Sequence, residues 1–341
     1  MGGRFLLTAC LPEGGSYYCE GILETVNCDL CASNDTDLVF EERDYLHHID
    51  GTFYLVRCRR CGLMYLNPRP TAEEIVRYYP RDYRPHQPIN KDASLLMRLE
   101  NWYGMYKLCR AVTTHANVKS GRILDIGCST GSFLDAMRGR GWKTYGVDIG
   151  TEAARYAREH LGLDVFVGTL HEACYPDESF DVVTLFNVFE HLHQPQATLV
   201  EVARVIKPGG LLVISVPNPA CIEARIFGRY WAGLDPPRHL YIHSRFTIEK
   251  ALALTGFEME RMMSFTGRHH VLALSLGTWL NQVRLNDKVR DWLKRAVSSF
   301  PARLLTFPYY VIASRLNQNS VMTVFARRRG ENDESSSRNP A

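Results

Sequence analysis

The sequence predicts an α/β fold: a seven-stranded, mostly parallel sheet with helices on both faces, a small cysteine-bearing module in front, and extra helices near the end. Three observations carry this. Two Cys-x-x-Cys pairs, Cys28/Cys31 and Cys58/Cys61, stand in the first 66 residues. From Gly121 onward, short apolar runs alternate with segments of helical period, the pattern of a parallel sheet wrapped by its crossover helices. The first such run, Arg122-Ile-Leu-Asp-Ile-Gly-Cys-Ser-Thr-Gly131, has the glycines of a tight strand–turn–helix.

The elements follow in order. Residues 1–26 show no period and are expected to be a flexible lead-in. Leu7-Thr-Ala-Cys10 ends like a lipoprotein leader, but Phe5-Leu6-Leu7 is too short to be its apolar core. Residues 27–66 hold the cysteine module, and Asn67-Pro-Arg-Pro70 reads as the turn that closes it. The region 67–118 is expected to be linker and helices. Thr71-Ala-Glu-Glu74 has a capping pattern, residues 79–88 are linker-like, and Leu95 to Ala116 has helical spacing. The main domain is placed at 119–330. Its strands are expected at 123–126, 143–147, 165–167, 180–186, 211–216, 257–264 and 321–326. Helices are expected at 133–138, 152–160, 197–206 and 247–254. Lys207-Pro-Gly-Gly210 reads as a tight turn.

Residues 268–318 break the alternation. They mix Trp279, Trp292, Phe300, Leu304, Leu305 and Phe307 with Arg and Lys. They read as an inserted helical hairpin, serving either as an extra packed layer or as a lid, with peripheral membrane contact through 268–318 as a third use. The polar tail 331–341 is expected to be disordered.

Composition narrows the class. Hydrophobic side chains make up 45% of the chain, enough for an ordinary soluble core. With 40 basic and 37 acidic residues, the charge is too balanced to argue for nucleic acid. Arg57, Arg59, Arg60 and Arg69 cluster around the second cysteine pair, which keeps RNA in view. No apolar stretch reaches the roughly 18 residues of a membrane span. Six of the ten cysteines lie outside the pairs without disulfide spacing, which places the chain in a reducing, cytoplasmic setting. Each Cys-x-x-Cys pair offers two thiolates on one turn, and four thiolates make a closed tetrahedral zinc site of structural type. Redox pairs and free buried thiols are the competing readings.

Ligands of an open α/β sheet bind beyond the carboxyl ends of its strands. The first strand of the alternating region ends at Asp125-Ile-Gly127, where Gly127 and Gly131 let a ligand approach the backbone. Asp148, at the end of the second strand, can accept ribose hydroxyl protons. A dinucleotide site asks for G-x-G-x-x-G. Here Ser129 and Ser132 replace its second and third glycines, which argues against NAD or FAD.

Leu124-Asp-Ile-Gly-Cys-Ser-Thr-Gly131, Val147-Asp148, Asp181-Val-Val-Thr-Leu-Phe186 and Lys207-Pro-Gly-Gly210 resemble, in that order, the motifs of class I S-adenosylmethionine-dependent methyltransferases. The resemblance covers about 119–265 and, with the last strand, reaches 327. It implies a Rossmann-like class I methyltransferase sheet and S-adenosyl-L-methionine as cofactor. It also implies binding by Asp125, Gly127, Gly131, Asp148 and Asn187. Cys128 and Ile149 lie in the same two loops, with Cys128 read as a packing group. Leu170 or Thr169 falls on the adenine side. Ser129 stands where the family loop has its middle glycine.

Methyl transfer is an in-line displacement that needs a nucleophile about 3 Å from the methyl and, for a weak nucleophile, a base. Two segments offer groups: Asn187-Val-Phe-Glu190-His191, and Trp231 to Ser244. The second resembles the active-site segment of a group of sugar C-methyltransferases that also carry an N-terminal zinc domain. Their His-Leu-x-x-x-Ser pattern falls on His239, Leu240 and Ser244, which implies His239 as base. Arg238 stands where that group has an acid, and reads as facing an anionic feature of the substrate. Glu190 and His191 are read as lining the methyl pocket, and Asp235 as a turn acid or a substrate ligand. His171, His193 and His243 are read as surface or turn residues. The expected function is methyl transfer to a small-molecule, sugar or lipid-linked acceptor, through oxygen or carbon. The alternatives are RNA methylation with the zinc module gripping nucleic acid, and a non-catalytic cofactor-binding scaffold.

Overall fold

The computed structural model describes residues 22–80, 95–264 and 269–330. Most of the expected lead-in, the linker from residue 81 and the tail lie outside the described residues.

The described residues open with five short strands: β1 (Leu23–Glu24), β2 (Thr36–Glu42), β3 (Phe53–Cys58), β4 (Met64–Leu66) and β5 (Arg69–Pro70). β1 pairs with β5, while β2, β3 and β4 form an antiparallel meander. The structure thus carries this module to both sides of 27–66. The helix α1 (Leu95–His115) leads to the main domain.

There the alternation unfolds as β6 (Arg122–Ile126), α2 (Ser132–Arg138), β7 (Lys143–Asp148), α3 (Thr151–Leu161), β8 (Asp164–Val167), β9 (Phe180–Phe186), α4 (Pro195–Val205), β10 (Ile206–Pro217), α5 (Ile222–Phe227), β11 (Tyr241–Ile242), α6 (Arg245–Leu254) and β12 (Phe257–Met263). Then come α7 (His269–Gln282), α8 (Asp287–Ser298), α9 (Phe300–Arg315) and β13 (Val321–Arg328). The main sheet has the order β12-β13-β10-β9-β6-β7-β8, seven strands as the sequence predicts. β13 runs antiparallel to both of its neighbours. The strands bury both faces, which is why they read as unbroken apolar runs. In β10, Leu212, Ile214 and Val216 enter one core, and Leu211 and Val213 enter the other. Strand order reverses between β6 and β9, which opens the crevice where such sheets bind ligands.

Three differences from the sequence reading have physical causes. Lys207-Pro-Gly-Gly210 is not a separate turn. Ile206 pairs with Phe180 and Leu211 with Val182, so the four residues between them bulge out of one continuous strand. Residues 269–315 form three helices, not a hairpin. Asn286 caps α8 through Lys288 N, and Ser299 with Pro301 breaks the chain before α9. Finally, β11 leaves the main domain and pairs with β4, Tyr241 opposite Tyr65 and Ile242 opposite Met64. The second sheet is therefore β11-β4-β3-β2, and its side chains share one core with a face of the main sheet.

Among the described residues, no helix is long and apolar enough to cross a membrane.

Candidate active site

At the carboxyl end of β6 the chain turns at Gly127 (φ 69°) and Gly131 (φ 78°), in the left-handed region that side chains resist. Space forbids a side chain there as well. A Cβ on Gly127 would lie 2.3 Å from Val188 Cγ2, and one on Gly131 would lie 2.4 Å from Leu163 Cδ1. Gly127→Ala is therefore expected to cost about 1–2 kcal/mol from the backbone alone, with a matching fall in melting temperature and weaker cofactor binding by calorimetry.

Asp148 closes the other side of the loop. Its Oδ2 accepts from Ser129 N at 2.6 Å and its Oδ1 from Gly150 N at 2.7 Å. Each oxygen keeps a lone pair for a further donor. Beside it Ile149 is 75% exposed, an apolar side chain left uncovered at the mouth of the crevice. Asp125 is buried and accepts from Thr184 Oγ1 at 2.6 Å, and burial pushes its carboxyl up to about 7. Leu170 is buried. Asn187 is exposed at the end of β9 with φ 55°. Cys128 packs under Gly146, and burial raises its thiol well above the ordinary range.

Val188, which touches the Gly127 position, leads directly into Glu190 and His191. The structure brings this pair onto the Asp235–His239 segment. Leu240 N donates to the Glu190 carbonyl at 2.8 Å, and the His191 and His239 rings meet edge to face at 4.6 Å. His239 Nδ1–H donates to the Gly233 carbonyl at 2.9 Å. This fixes the tautomer and leaves the Nε2 lone pair free. Nε2 lies 4.0 Å from both Glu190 Oε1 and Asp235 Oδ2. His191 is tethered the same way, its Nδ1–H donating to the Arg238 carbonyl at 2.9 Å, with Tyr79 OH at 3.1 Å.

Burial sets the charges. It drives His191 down to about 3 and pulls His239 below its ordinary value, with Asp235 acting against it. It pushes Glu190 up to about 8, and neither oxygen of that carboxyl has a hydrogen-bond partner among the described residues. The donor atoms of Glu190, His191 and His239 lie within 4.8 Å of one another.

Arg238 corrects the sequence reading. It is fully buried and donates to Asp235, Asp44 and the Tyr78 carbonyl, so it has no donor left for a substrate anion. Burial opposes the charge on Asp235, but the Arg238 hydrogen bonds and neighbouring charges hold its carboxyl below the usual range. His243 is likewise not a surface residue: it is buried and driven down to about 3. Sequence reasoning missed Asp44 and Tyr79, which carry no local motif, and the contact that Thr184, inside the Asp181–Phe186 motif, makes with Asp125. A narrow slot lined by Tyr45, Leu46, Tyr230, Trp231, Pro236 and Thr278 reaches Asp235. A larger cleft around Pro208, Gly209 and Arg327 lies at the opposite strand ends, away from this chemistry.

The four cysteines converge as well. Cys28 and Cys61 Sγ are 3.4 Å apart, Cys31 and Cys58 Sγ 3.5 Å, and all four lie within 4.8 Å. A tetrahedron with Zn–S bonds of about 2.3 Å has edges of about 3.8 Å, so the set fits zinc. The two knuckles share one backbone form, with Ala32 N donating to the Cys28 carbonyl and Gly62 N to that of Cys58. Two of the four nearby arginines are engaged in ion pairs within the protein. Arg59 pairs with Asp35 and Asp37, and buried Arg69 binds Glu24 and Tyr241. This gives no support to nucleic-acid binding.

Residues 100–261 match a methyltransferase domain family. The chain is 34% identical over 116 residues to a ubiquinone biosynthesis O-methyltransferase of Thiobacillus denitrificans, covering 32% of this chain and half of that protein. It is 31% identical over 177 residues to the protein of that name from Aeromonas salmonicida, covering 49% of this chain and 72% of that one. Among solved structures, a geranyl diphosphate C-methyltransferase from Streptomyces coelicolor is similar at 14% identity and a TM-score of 0.47, covering 76% of this chain and 99% of that one. With its motifs in order on a seven-stranded sheet, the chain belongs to the class I S-adenosylmethionine-dependent methyltransferases.

Proposed function

We propose that the protein methylates a hydroxyl oxygen of a small aromatic acceptor, with His239 as general base. The observation that carries this is the His239 ring itself: Nδ1 is anchored on the Gly233 carbonyl, and the free Nε2 faces Glu190 and Asp235. A neutral imidazole placed in this way can take the proton as the hydroxyl attacks the methyl. Asp148 holds the ribose through its spare lone pairs, Ile149 and Leu170 flank the adenine, and Asp125, Gly127, Gly131 and Asn187 line the rest of the cofactor site. Cys128 packs the loop from beneath. The relatives, named as O-methyltransferases of ubiquinone biosynthesis, support oxygen as the atom methylated.

A lipid-linked acceptor has separate support. Trp292, Leu304, Leu305 and Phe307 are exposed on helices that also carry Lys288, Lys294, Arg295 and Arg303. Aromatic and basic side chains together suit peripheral contact with an anionic bilayer.

A second reading rests on Glu190, whose buried carboxyl has no hydrogen-bond partner among the described residues. With His191 and His239 it forms a donor set that fits a divalent cation. Such a cation would orient a pair of acceptor hydroxyls.

Calorimetric titration with S-adenosylhomocysteine, with NAD as control, comes first. Micromolar binding of the first alone is expected. Mass-spectrometric screening of phenols and catechols, with and without a chelator, then tests the acceptor class. Methylated sugars in place of phenols would overturn it, and loss of turnover with a chelator while the four-cysteine site keeps its zinc, as checked by mass spectrometry, would favour the cation.

A further inference from the structure

We propose that Asp44, on the cysteine module, is a positioning residue for His239 and acts on it through Arg238. The inference rests on the reading of His239 as base.

All five N–H groups of Arg238 are accounted for. Nη1 donates to Asp44 Oδ2 at 2.8 Å and to the Tyr78 carbonyl at 2.9 Å. Nη2 donates to Asp44 Oδ1 at 2.8 Å and to Asp235 Oδ1 at 2.5 Å. Nε is shared by the two Asp235 oxygens at 3.1 and 3.0 Å. Asp44 thus meets the end of the guanidinium fork with both oxygens, one on each terminal nitrogen, a bidentate pairing that adds geometric definition to its energy. Asp44 is itself held in place: its Oδ1 also accepts from Leu46 N and His47 N, which roots the carboxylate in its own turn. Both partners are buried, with no solvent to blur the contact.

Arg238 immediately precedes His239. Its side chain is fixed by Asp44 at one end, and its carbonyl holds His191 at the other. The peptide that carries His239 is therefore clamped from the module. The clamp also reaches Asp235, whose Oδ2 is one of the two acidic atoms facing His239 Nε2. Without the Asp44 charge, the guanidinium has Asp235 as its sole carboxylate partner among the described residues, and Asp235 is drawn toward it, away from the imidazole. A displacement of about 1 Å at a catalytic group is worth up to about a hundredfold in rate.

The rest of the module supports this geometry. Asp29, beside Cys28, accepts from Gln196 N at the start of α4, and β4 pairs with β11 just past His239. The segments bearing Glu190 and His239 are both moored to a unit whose own shape depends on the four cysteines.

The test uses the full-length, metal-loaded protein and two readouts. The first needs no acceptor: long-range ¹H–¹⁵N spectra of the imidazoles, with His239 assigned by the signal missing in His239→Ala. The wild type is expected to show one Nδ1–H tautomer for His239. Asp44→Asn is expected to shift that signal or split it between tautomers, while Asp37→Asn, an exposed change on the same module, leaves it unmoved. The second readout is turnover of 3,4-dihydroxybenzoate as the phenolic probe. Asp44→Asn is expected to lower kcat by about 10- to 100-fold, with KM within threefold and S-adenosylhomocysteine affinity unchanged. Asp44→Glu keeps the charge and lengthens the arm by one methylene. It is expected to fold even if Asp44→Asn does not, and to lose about tenfold in kcat.

An unmoved His239 signal in either folded Asp44 variant overturns the positioning role. Full turnover by His239→Ala overturns the base reading instead, and the spectra still decide whether Asp44 places the ring.

Discussion

His239→Ala is expected to lower kcat by about 10²- to 10⁴-fold, the range for removal of a positioned base. S-adenosylhomocysteine affinity is expected to hold, because the loop at Gly127 and the Asp148 carboxylate, which we propose hold the cofactor, touch other residues. The pH profile gives the sign. Burial favours the neutral imidazole, so His239 titrates below its ordinary 6.5. A base must be neutral to act, and protonation occurs only as the pH falls. The acid limb of the wild-type kcat profile is therefore expected below pH 6.5, with a plateau above it. The residual activity of His239→Ala is expected to lack that limb. A wild-type limb that stays in place in His239→Ala would assign it to another group, with Asp235 or Glu190 next to examine.

Cys58→Ser is expected to have the largest effect on stability. Binding of structural zinc contributes on the order of 10 kcal/mol to the folding of small domains, and the four-cysteine cluster spans both knuckles of the module. Loss of one thiolate is expected to abolish stoichiometric zinc by mass spectrometry and to lower the melting temperature by about 10 °C or more. Prolonged chelation of the wild type is expected to do the same. Because the module is moored to the Glu190 and His239 segments, turnover is expected to fall further than cofactor affinity. An unchanged melting temperature with unchanged zinc would remove the metal from the account of this fold.

The parts of the chain legible in the sequence are those whose meaning is local. Asp125, Gly127 and Gly131 lie within seven residues, and Asp148 ends the neighbouring strand. Backbone demands at a strand–helix turn therefore show directly as residue types. The cysteine knuckles are legible for the same reason. What escaped is non-local. Asp44 and Arg238 are 194 residues apart, and nothing at either position marks its partner. Arg238 in isolation looks like an anion binder; buried between two carboxylates it is a brace. Tyr241 and Ile242 do not read as a strand because they are two residues long and pair with a segment from the other end of the chain. The extra helix in 269–315 was in principle visible, since Ser299 and Pro301 mark a break inside an apolar stretch that reads as continuous.

The pairing of β11 with β4 also bears on how the protein is made. The N-terminal sheet lacks its last strand until residue 242 has been synthesised, about 170 residues after β5. At ribosomal rates of roughly 5–20 residues per second, the β4 edge stays open for roughly 9 to 35 seconds on the nascent chain. An open edge is a template for pairing with other chains. Early capture of zinc by the knuckles, whose cysteines all emerge before that interval, would keep the rest of the module folded while the edge waits for its own strand.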